Sequence, residues 1–418
     1  MAETAVATGV MRATSAAEAE QRLELMRRYP TAFDLRERAR KQMPNFAFEY
    51  MDGGAGTDAG IRRNWTALDA VEMFPRYGNV VKPPAADTKI FGRTYSAPLG
   101  IAPVGGPGTA FPGAETYLAT AAQAARVPYT LGVLSGITVE QAAELAPDVL
   151  WFQLYRFHTD NHRIGLDLAR RADKCGVQAL VLTFDTPTRT TRPREVKAGI
   201  QNPFKLNMRL RMDALSSPRW CMSMVKHGIP RFASLNAYMG SGLGLAESAA
   251  WIRRESGGAF TWDEIARYRD VWKKPLVLKG VLHPKDAERA LSLGLDGIFV
   301  TNHGGRQIEA LPASVDALPE IVKAVGSKMT IVLDSGVRSG VDVARAVALG
   351  ADAAFAGKAF LWSLGALGAR GPAHLIEVLT EDVRATLGQL GCKTVAELRK
   401  VETRHPGALA THDFAPMA

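Results

Sequence analysis

Ile298-Phe299-Val300-Thr301-Asn302-His303-Gly304-Gly305-Arg306-Gln307 decides how the chain is read. Apolar and β-branched residues run without alternation into a polar tip with paired glycines, the pattern of a strand buried on both faces that delivers side chains at its C-terminal end. The tip holds a base and a cation. His303 titrates near neutral pH, and Arg306 offers a planar fork of donors suited to a carboxylate. Gly304 and Gly305 let the backbone turn between them with no Cβ to clash.

Working outward, the same kind of run recurs at Leu99–Pro103, Pro128–Val133, Leu150–Tyr155, Ala179–Phe184, Pro275–Lys279, Met329–Asp334 and Ala353–Gly357, which with Gly297–Asn302 makes eight strands. Helical segments lie between them. Their starts are marked by Thr138/Gln141 and Thr261/Glu264 capping boxes, and Ala287–Leu293 and Val341–Leu349 are alanine-rich and amphipathic. Strand and helix alternating in this way predict an α/β chain folded as a (β/α)8 TIM barrel, with helices Phe33–Met43 and Phe46–Met51 before it. A doubly wound sheet is the alternative, but no glycine fingerprint follows its first strand. Gly240-Ser241-Gly242-Leu243-Gly244 follows no strand at all.

The spacing also sets the domain plan. Residues 1–30 read as a mobile arm, 31–400 as the barrel and 401–418 as a tail; closing helices are expected at Leu375–Leu387 and Thr394–Lys400. The fourth and fifth strands stand far apart, which predicts a long insertion after strand 4, about 188–258. Much of the formal charge of +9 sits there: from Thr188 to Arg231 ten Lys and Arg face two acidic residues, interleaved with Trp220, Met222, Met224 and Phe232. With the rest nearly neutral, nucleic acid is not expected as a partner.

The 418 residues, 47% hydrophobic, are enough for one large core. Cys175, Cys221 and Cys392 lie far apart without metal-ligand spacing, so no metal site and no disulfide framework is expected. Nor does any basic-then-apolar leader or long apolar run stand out, and a cytoplasmic location, with peripheral attachment to the inner membrane as the variant, is the expectation.

Barrel sites form where strands end. Here the ends bring Pro103, Val104 and Gly105, then Gln153 and Tyr155, Thr183 and Asp185, Lys279, Thr301 with the His303/Arg306 pair, Asp334, Ser335, Gly336 and Arg338, and Gly357 with Lys358. The last two groups join glycine backbone to cations after strands 7 and 8, where barrels hold a phosphate. Tyr50 precedes the glycine turn at Asp52-Gly53-Gly54-Ala55-Gly56.

With these motifs in their order, the chain resembles the FMN-dependent α-hydroxy-acid oxidase and dehydrogenase family, which includes glycolate oxidase, lactate oxidase, lactate monooxygenase, flavocytochrome b2 and mandelate dehydrogenase. The resemblance spans roughly residues 31 to 400 and is strongest in Asn302–Gln307, supported by Phe152-Gln153-Leu154-Tyr155, Leu182–Pro187, Leu278-Lys279-Gly280 and Asp334–Arg338. It implies FMN as cofactor and oxidation of an L-2-hydroxy acid to the 2-oxo acid. His303 is then the base that accepts the substrate proton, with Asp185 stabilising its charged form. Arg306 and Tyr50 bind the carboxylate with Arg194 as a second cation, and Tyr155 meets the hydroxyl. Lys279 sits at the N1–C2 edge of the flavin; Gln153, Thr183, Thr301, Pro103, Val104 and Gly105 adjoin the ring. Asp334, Ser335, Gly336, Arg338, Gly357 and Lys358 hold the phosphate.

Some positions depart from the family pattern. Gly132 replaces a serine, Leu134 the tryptophan of glycolate oxidase, and Lys358 an arginine, which keeps the charge but loses the fork. Gly105 stands where glycolate and lactate oxidases carry alanine and where mandelate dehydrogenase has glycine. No haem motif stands near the N-terminus, so an external acceptor is expected: oxygen, a quinone or a protein, with the quinone or protein favoured. The resemblance also implies a homotetramer or larger assembly. Two other functions stay open: another FMN barrel enzyme such as type 2 isopentenyl diphosphate isomerase, or a flavin-binding protein without catalysis. The basic insertion reads as a lid, as a solvated loop, or as a surface for anionic lipid.

Overall fold

Eight short strands, buried along nearly their whole length, pair in parallel: β1 (Leu99–Ile101), β2 (Tyr129–Gly132), β3 (Leu150–Leu154), β4 (Ala179–Thr183), β5 (Leu276–Val281), β6 (Gly297–Val300), β7 (Thr330–Leu333) and β8 (Ala353–Ala356). They close into a barrel in the order β7-β8-β1-β2-β3-β4-β5-β6. Closure rules out the doubly wound sheet, and all eight expected strands are present. Their sequences do not alternate because one face looks into the barrel and the other is covered by helices.

The computed structural model describes residues 15–78, 83–188, 190–200, 207–240 and 243–410. Inside the barrel, Trp151 of β3, Phe299 of β6 and Phe355 of β8 meet with ring centroids 5.1–6.3 Å apart, contacts that strands so far apart make only across the interior. Gly100 makes room for them, since a Cβ there would lie 2.3 Å from the Phe355 ring. This aromatic plug fills the barrel and leaves the C-terminal mouth as the open end.

Both predicted capping boxes form, at Thr138 and Thr261. The helices expected at Phe33–Met43 and Phe46–Met51 are Ala32–Gln42 and Asn45–Asp52. The first crosses helix Lys358–Leu367 closely, because Gly365 offers no Cβ where Met43 Sδ would be 2.1 Å away. That crossing sets Tyr50 and the glycine turn over the mouth.

At the ends of the chain, residues 1–14 of the expected arm and 411–418 of the expected tail lie outside the described residues. Ala16–Arg28 is a helix with a Ser15/Glu18 capping box, and Arg22 pairs with Glu377. Glu402–Arg404 pairs antiparallel with Glu72–Phe74. Between β4 and β5 run helices Pro193–Lys197, Met208–Leu215, Pro218–His227 and Leu245–Glu255, before the barrel helix Trp262–Val271. Trp220 anchors this insertion: its indole donates to Ala110 O at 2.9 Å, and its ring meets Phe46 edge-on.

Candidate active site

The turn after β6 is shaped by three consecutive residues in the left-handed region: His303 (φ 59°), Gly304 (65°) and Gly305 (71°). Gly305 could carry no side chain, because a Cβ would lie 2.7 Å from Ile61 N. His303 takes the same conformation despite its Cβ, a local cost held by its surroundings. Asn302 clasps Asn64 through two amide hydrogen bonds of 2.7 and 2.8 Å and accepts from Gly305 N, while Thr301 Oγ1 accepts from His303 N at 3.0 Å.

His303 Nδ1 faces Asp185 Oδ1 at 3.0 Å. Burial pushes the imidazole below its ordinary value, against the pull of Asp185. Burial also works to raise the Asp185 carboxyl, but the charges of His303 and Lys279 and the bond from His303 outweigh it and hold the group below the usual carboxylate range. The resting pair is a neutral imidazole beside a carboxylate. Gly280 permits the approach, since a Cβ there would lie 2.5 Å from Asp185 Cβ.

Lys279, in the second half of β5 just before its register irregularity, faces Asp334 Oδ2 at 3.4 Å. Burial alone would lower this lysine; Asp334 and Asp185 raise it above its ordinary value, so it is a fixed cation. Asp334 also accepts from Thr301 Oγ1. Its carboxylate is thus a support for Lys279, in a loop read from sequence only as a phosphate holder. Gln153 and Thr183, both buried, bond each other at 2.6 Å.

Arg306 sits under Tyr50, its guanidinium carbon 5.5 Å from the ring centroid. Its Nη1 donates to Tyr50 O and Gly53 O at 2.8 Å each, and its Nη2 to Glu195 Oε1 at 2.8 Å. The Tyr50 hydroxyl donates to Gly105 O. Burial raises both the Tyr50 and the Tyr155 phenol, which keeps them protonated donors.

One cavity of about 1170 Å³ joins these groups, lined among others by Tyr50, Tyr155, Arg192, Glu195, Lys279, His303 and Arg306. Pro103, Val104, Gly105, Asp334, Ser335, Gly336, Gly357 and Lys358 line it as well. Gln153, Thr183, Asp185 and Thr301 stand outside this lining; Asp185 holds His303, and Thr301 holds Asp334 and Ser335. Two sequence expectations change. Arg194 is not brought to the cavity; it is engaged by Glu49 at 2.5 Å and by Asp52 and Asp58 at 2.8 Å each. Arg192 takes the cavity position, and Glu195 joins it there, a residue that sequence reading missed. Arg338 also turns away from the wall, to Asp69 and between Phe33 and Trp65, although its Nη1 is a buried donor without a partner.

The residues present fit the expected flavin mononucleotide. The cavity exceeds the roughly 300–1,000 Å³ typical of a single small-ligand pocket, room for a cofactor and a substrate together. At one end the helix Lys358–Leu367 starts from Gly357, an N-terminus suited to a phosphate. Lys358 Nζ stands there within 2.8–3.3 Å of Met51 O, Asp52 O and Gly53 O. Burial, with Arg306 nearby, pushes this lysine well below its ordinary value, which an arriving anion would oppose. Gly132 has its own reason: a Cβ would meet Val104 O at 2.8 Å.

A profile of the FMN-dependent dehydrogenases matches residues 39–404. An L-lactate dehydrogenase of Acinetobacter baylyi is 33% identical over 368 residues, covering 88% of this chain and 95% of its own. One from Pseudomonas aeruginosa PAO1 is 34% identical over 366 residues, with coverages of 87% and 95%. Among solved structures, (S)-mandelate dehydrogenase, described as a monotopic membrane protein, superposes with a TM-score of 0.84 at 30% identity over 90% of this chain and 99% of that one. Mandelate oxidase with benzoyl-formic acid gives 0.76 at 33% identity, over 91% and 100%.

Proposed function

Since the chain belongs to the FMN-dependent dehydrogenase family and is a 2-hydroxy-acid oxidoreductase, we propose that it converts an L-2-hydroxy acid into the 2-oxo acid with His303 as the base. The observation that carries this reading is the convergence of a neutral His303 backed by Asp185, the cations Arg306 and Arg192, and the phenols Tyr50 and Tyr155 on one cavity. FMN supplies the two-electron acceptor when bound. His303 Nε2 takes the substrate's proton, and Asp185 stabilises the imidazolium that results. Arg306, with Arg192, takes the carboxylate and fixes the α-carbon near His303. Tyr155 offers a hydroxyl donor to the substrate oxygens, and Tyr50 offers one on giving up its bond to Gly105 O. Lys279, charged and immobile beside Asp334, places a positive charge where negative charge would develop.

Leu134 on the cavity wall gives the substrate's side chain an apolar neighbour, which favours an aliphatic or aryl 2-hydroxy acid over glycolate. The test is anaerobic mixing of FMN-loaded protein with lactate, mandelate and glycolate. Bleaching of the flavin by lactate or mandelate is expected, and a flavin that stays oxidised with every one of them would sink the proposal.

The insertion supports a second element of function. Met208, Met212, Leu215, Met222, Val225 and Ile229 are exposed on or beside two consecutive helices that also carry Arg209, Arg211, Arg219 and Lys226. Val225 is 87% exposed, which no need of the barrel core explains. We infer that this face docks on anionic lipid, the apolar side chains entering the interface and the cations meeting headgroups. No described helix is long and apolar enough to cross a membrane.

A further inference from the structure

We propose that Glu195 sets the charge of the carboxylate subsite, so that it accepts one monoanion and discriminates against dianions. This rests on the reading of Arg306 and Arg192 as the groups that take the substrate carboxylate. Glu195 Oε1 is 2.8 Å from Arg306 Nη2 and 3.4 Å from Arg192 Nη1, with 12% of its side chain exposed. Both Nη1 hydrogens of Arg306 are engaged by backbone carbonyls and one Nη2 hydrogen by Glu195. The Nε–H and the other Nη2–H are what remain for a ligand.

The charge count follows from the same contacts. Two guanidiniums face one carboxylate, leaving a single positive charge for an incoming anion. Lys279 faces Asp334 and Asp185 and makes no contact with Arg306, so the count is taken over the groups that touch Arg306. A monocarboxylate therefore neutralises the subsite. A compact dianion would place an unmatched negative charge beside Glu195, where repulsion acts with little solvent screening.

Glu195 is also held from both sides of its segment. Its short helix is clamped on one side by Arg194 in its three ion pairs. On the other, Thr190 Oγ1 and Arg192 Nε each donate to Arg306 O at 3.2 Å. An arriving carboxylate thus shares Arg306 with Glu195 and does not displace it.

The test is titration of FMN-loaded protein with acetate and with malonate near neutral pH, following the flavin spectrum. Relative to wild type, Glu195→Gln should raise malonate affinity over acetate affinity by about tenfold or more. Glu195→Asp should keep the wild-type ratio, and Arg192→Gln should move it the other way. A ratio unchanged in Glu195→Gln overturns the proposal; if that variant fails to hold FMN, an unchanged ratio in Arg192→Gln does so. Wild-type protein whose spectrum answers to neither anion would instead sink the carboxylate reading of Arg306, a failure distinct from an unaltered ratio.

Discussion

His303 Nδ1 lies 3.0 Å from Asp185 Oδ1, and this contact decides which imidazole nitrogen is left to take a proton in the proposed reaction. With Asp185 ionised, Nδ1 carries the proton and donates, leaving the lone pair on Nε2. Only the neutral ring can accept a proton, and burial lowers its pKa, so activity should persist as pH falls and decline only through that lowered value. Asp185→Asn removes the carboxylate that raises the pKa. The acid limb of kcat/KM should then move to still lower pH while the maximal rate drops, because the imidazolium loses its counter-ion. His303→Gln should keep FMN and slow flavin reduction by roughly 10²–10⁴-fold. A limb that moves to higher pH in Asp185→Asn would contradict the pairing.

Arg192 and Arg194 should separate cleanly by experiment. Arg194→Gln strips the cation from Glu49 and Asp58 and leaves Asp52 to Arg36 alone, at a cost of about 3 kcal/mol in stability. Arg192→Gln should leave the melting temperature nearly unchanged and raise KM for the hydroxy acid. Calorimetry alongside steady-state kinetics checks both; the reverse assignment of effects would return Arg194 to the cavity.

These arginines show where sequence reading stops. All eight strands were legible because a barrel strand buried on both faces must be a short apolar run, and the cap residues of Thr138 and Thr261 mark helix starts by local hydrogen bonds. His303, Arg306 and Lys279 were legible because they sit at fixed offsets from strand ends. Arg192 and Arg194 are two positions apart, one just before and one inside a short helix, and which of them faces the cavity depends on Glu49, Asp52 and Asp58, more than 130 residues away in sequence. Glu195 was in view in the same segment, but only the folded turn sets it against Arg306. Arg338 likewise went to Asp69, a partner from an N-terminal helix that no barrel pattern announces.

Lys358 makes a pH prediction for the cofactor. Its charge is present below its pKa, which burial sets well below that of an ordinary lysine, so the phosphate contact should weaken as pH rises. FMN affinity of the wild-type protein should therefore fall toward alkaline pH. Lys358→Arg keeps a charged group throughout and should flatten that dependence. Flavin fluorescence on release measures both; equal slopes would show that Lys358 does not face the phosphate.

The insertion makes a prediction about lipid. At low salt the protein should sediment with anionic vesicles and stay in solution with neutral ones, and added salt should release it. Replacing Met222 and Val225 by Glu should reduce sedimentation without changing turnover, since neither side chain lines the cavity. Indifference of the wild-type protein to anionic vesicles would remove the docking surface.

Gly105 offers the last test, on the electron acceptor. A Cβ built there meets Tyr155 Oη at 3.6 Å and Leu134 Cδ1 at 3.8 Å, ordinary contact distances, and the residue is not in the left-handed region. Gly105→Ala should therefore fold, bind FMN and leave the melting temperature within about a degree or two, as expected of a substitution that neither overpacks nor strains. What changes is the cavity wall where the flavin is expected to lie, and a methyl group there fills space open to a small molecule. We expect the wild-type enzyme, once reduced by its substrate, to reoxidise slowly in air and quickly with an artificial quinone, and Gly105→Ala to react faster with oxygen. Stopped-flow mixing with air-saturated buffer and with quinone measures each rate. Fast peroxide release by the wild type would overturn the preference for a quinone or protein acceptor, and unchanged oxygen reactivity in the alanine variant would show that this methyl has no part in it.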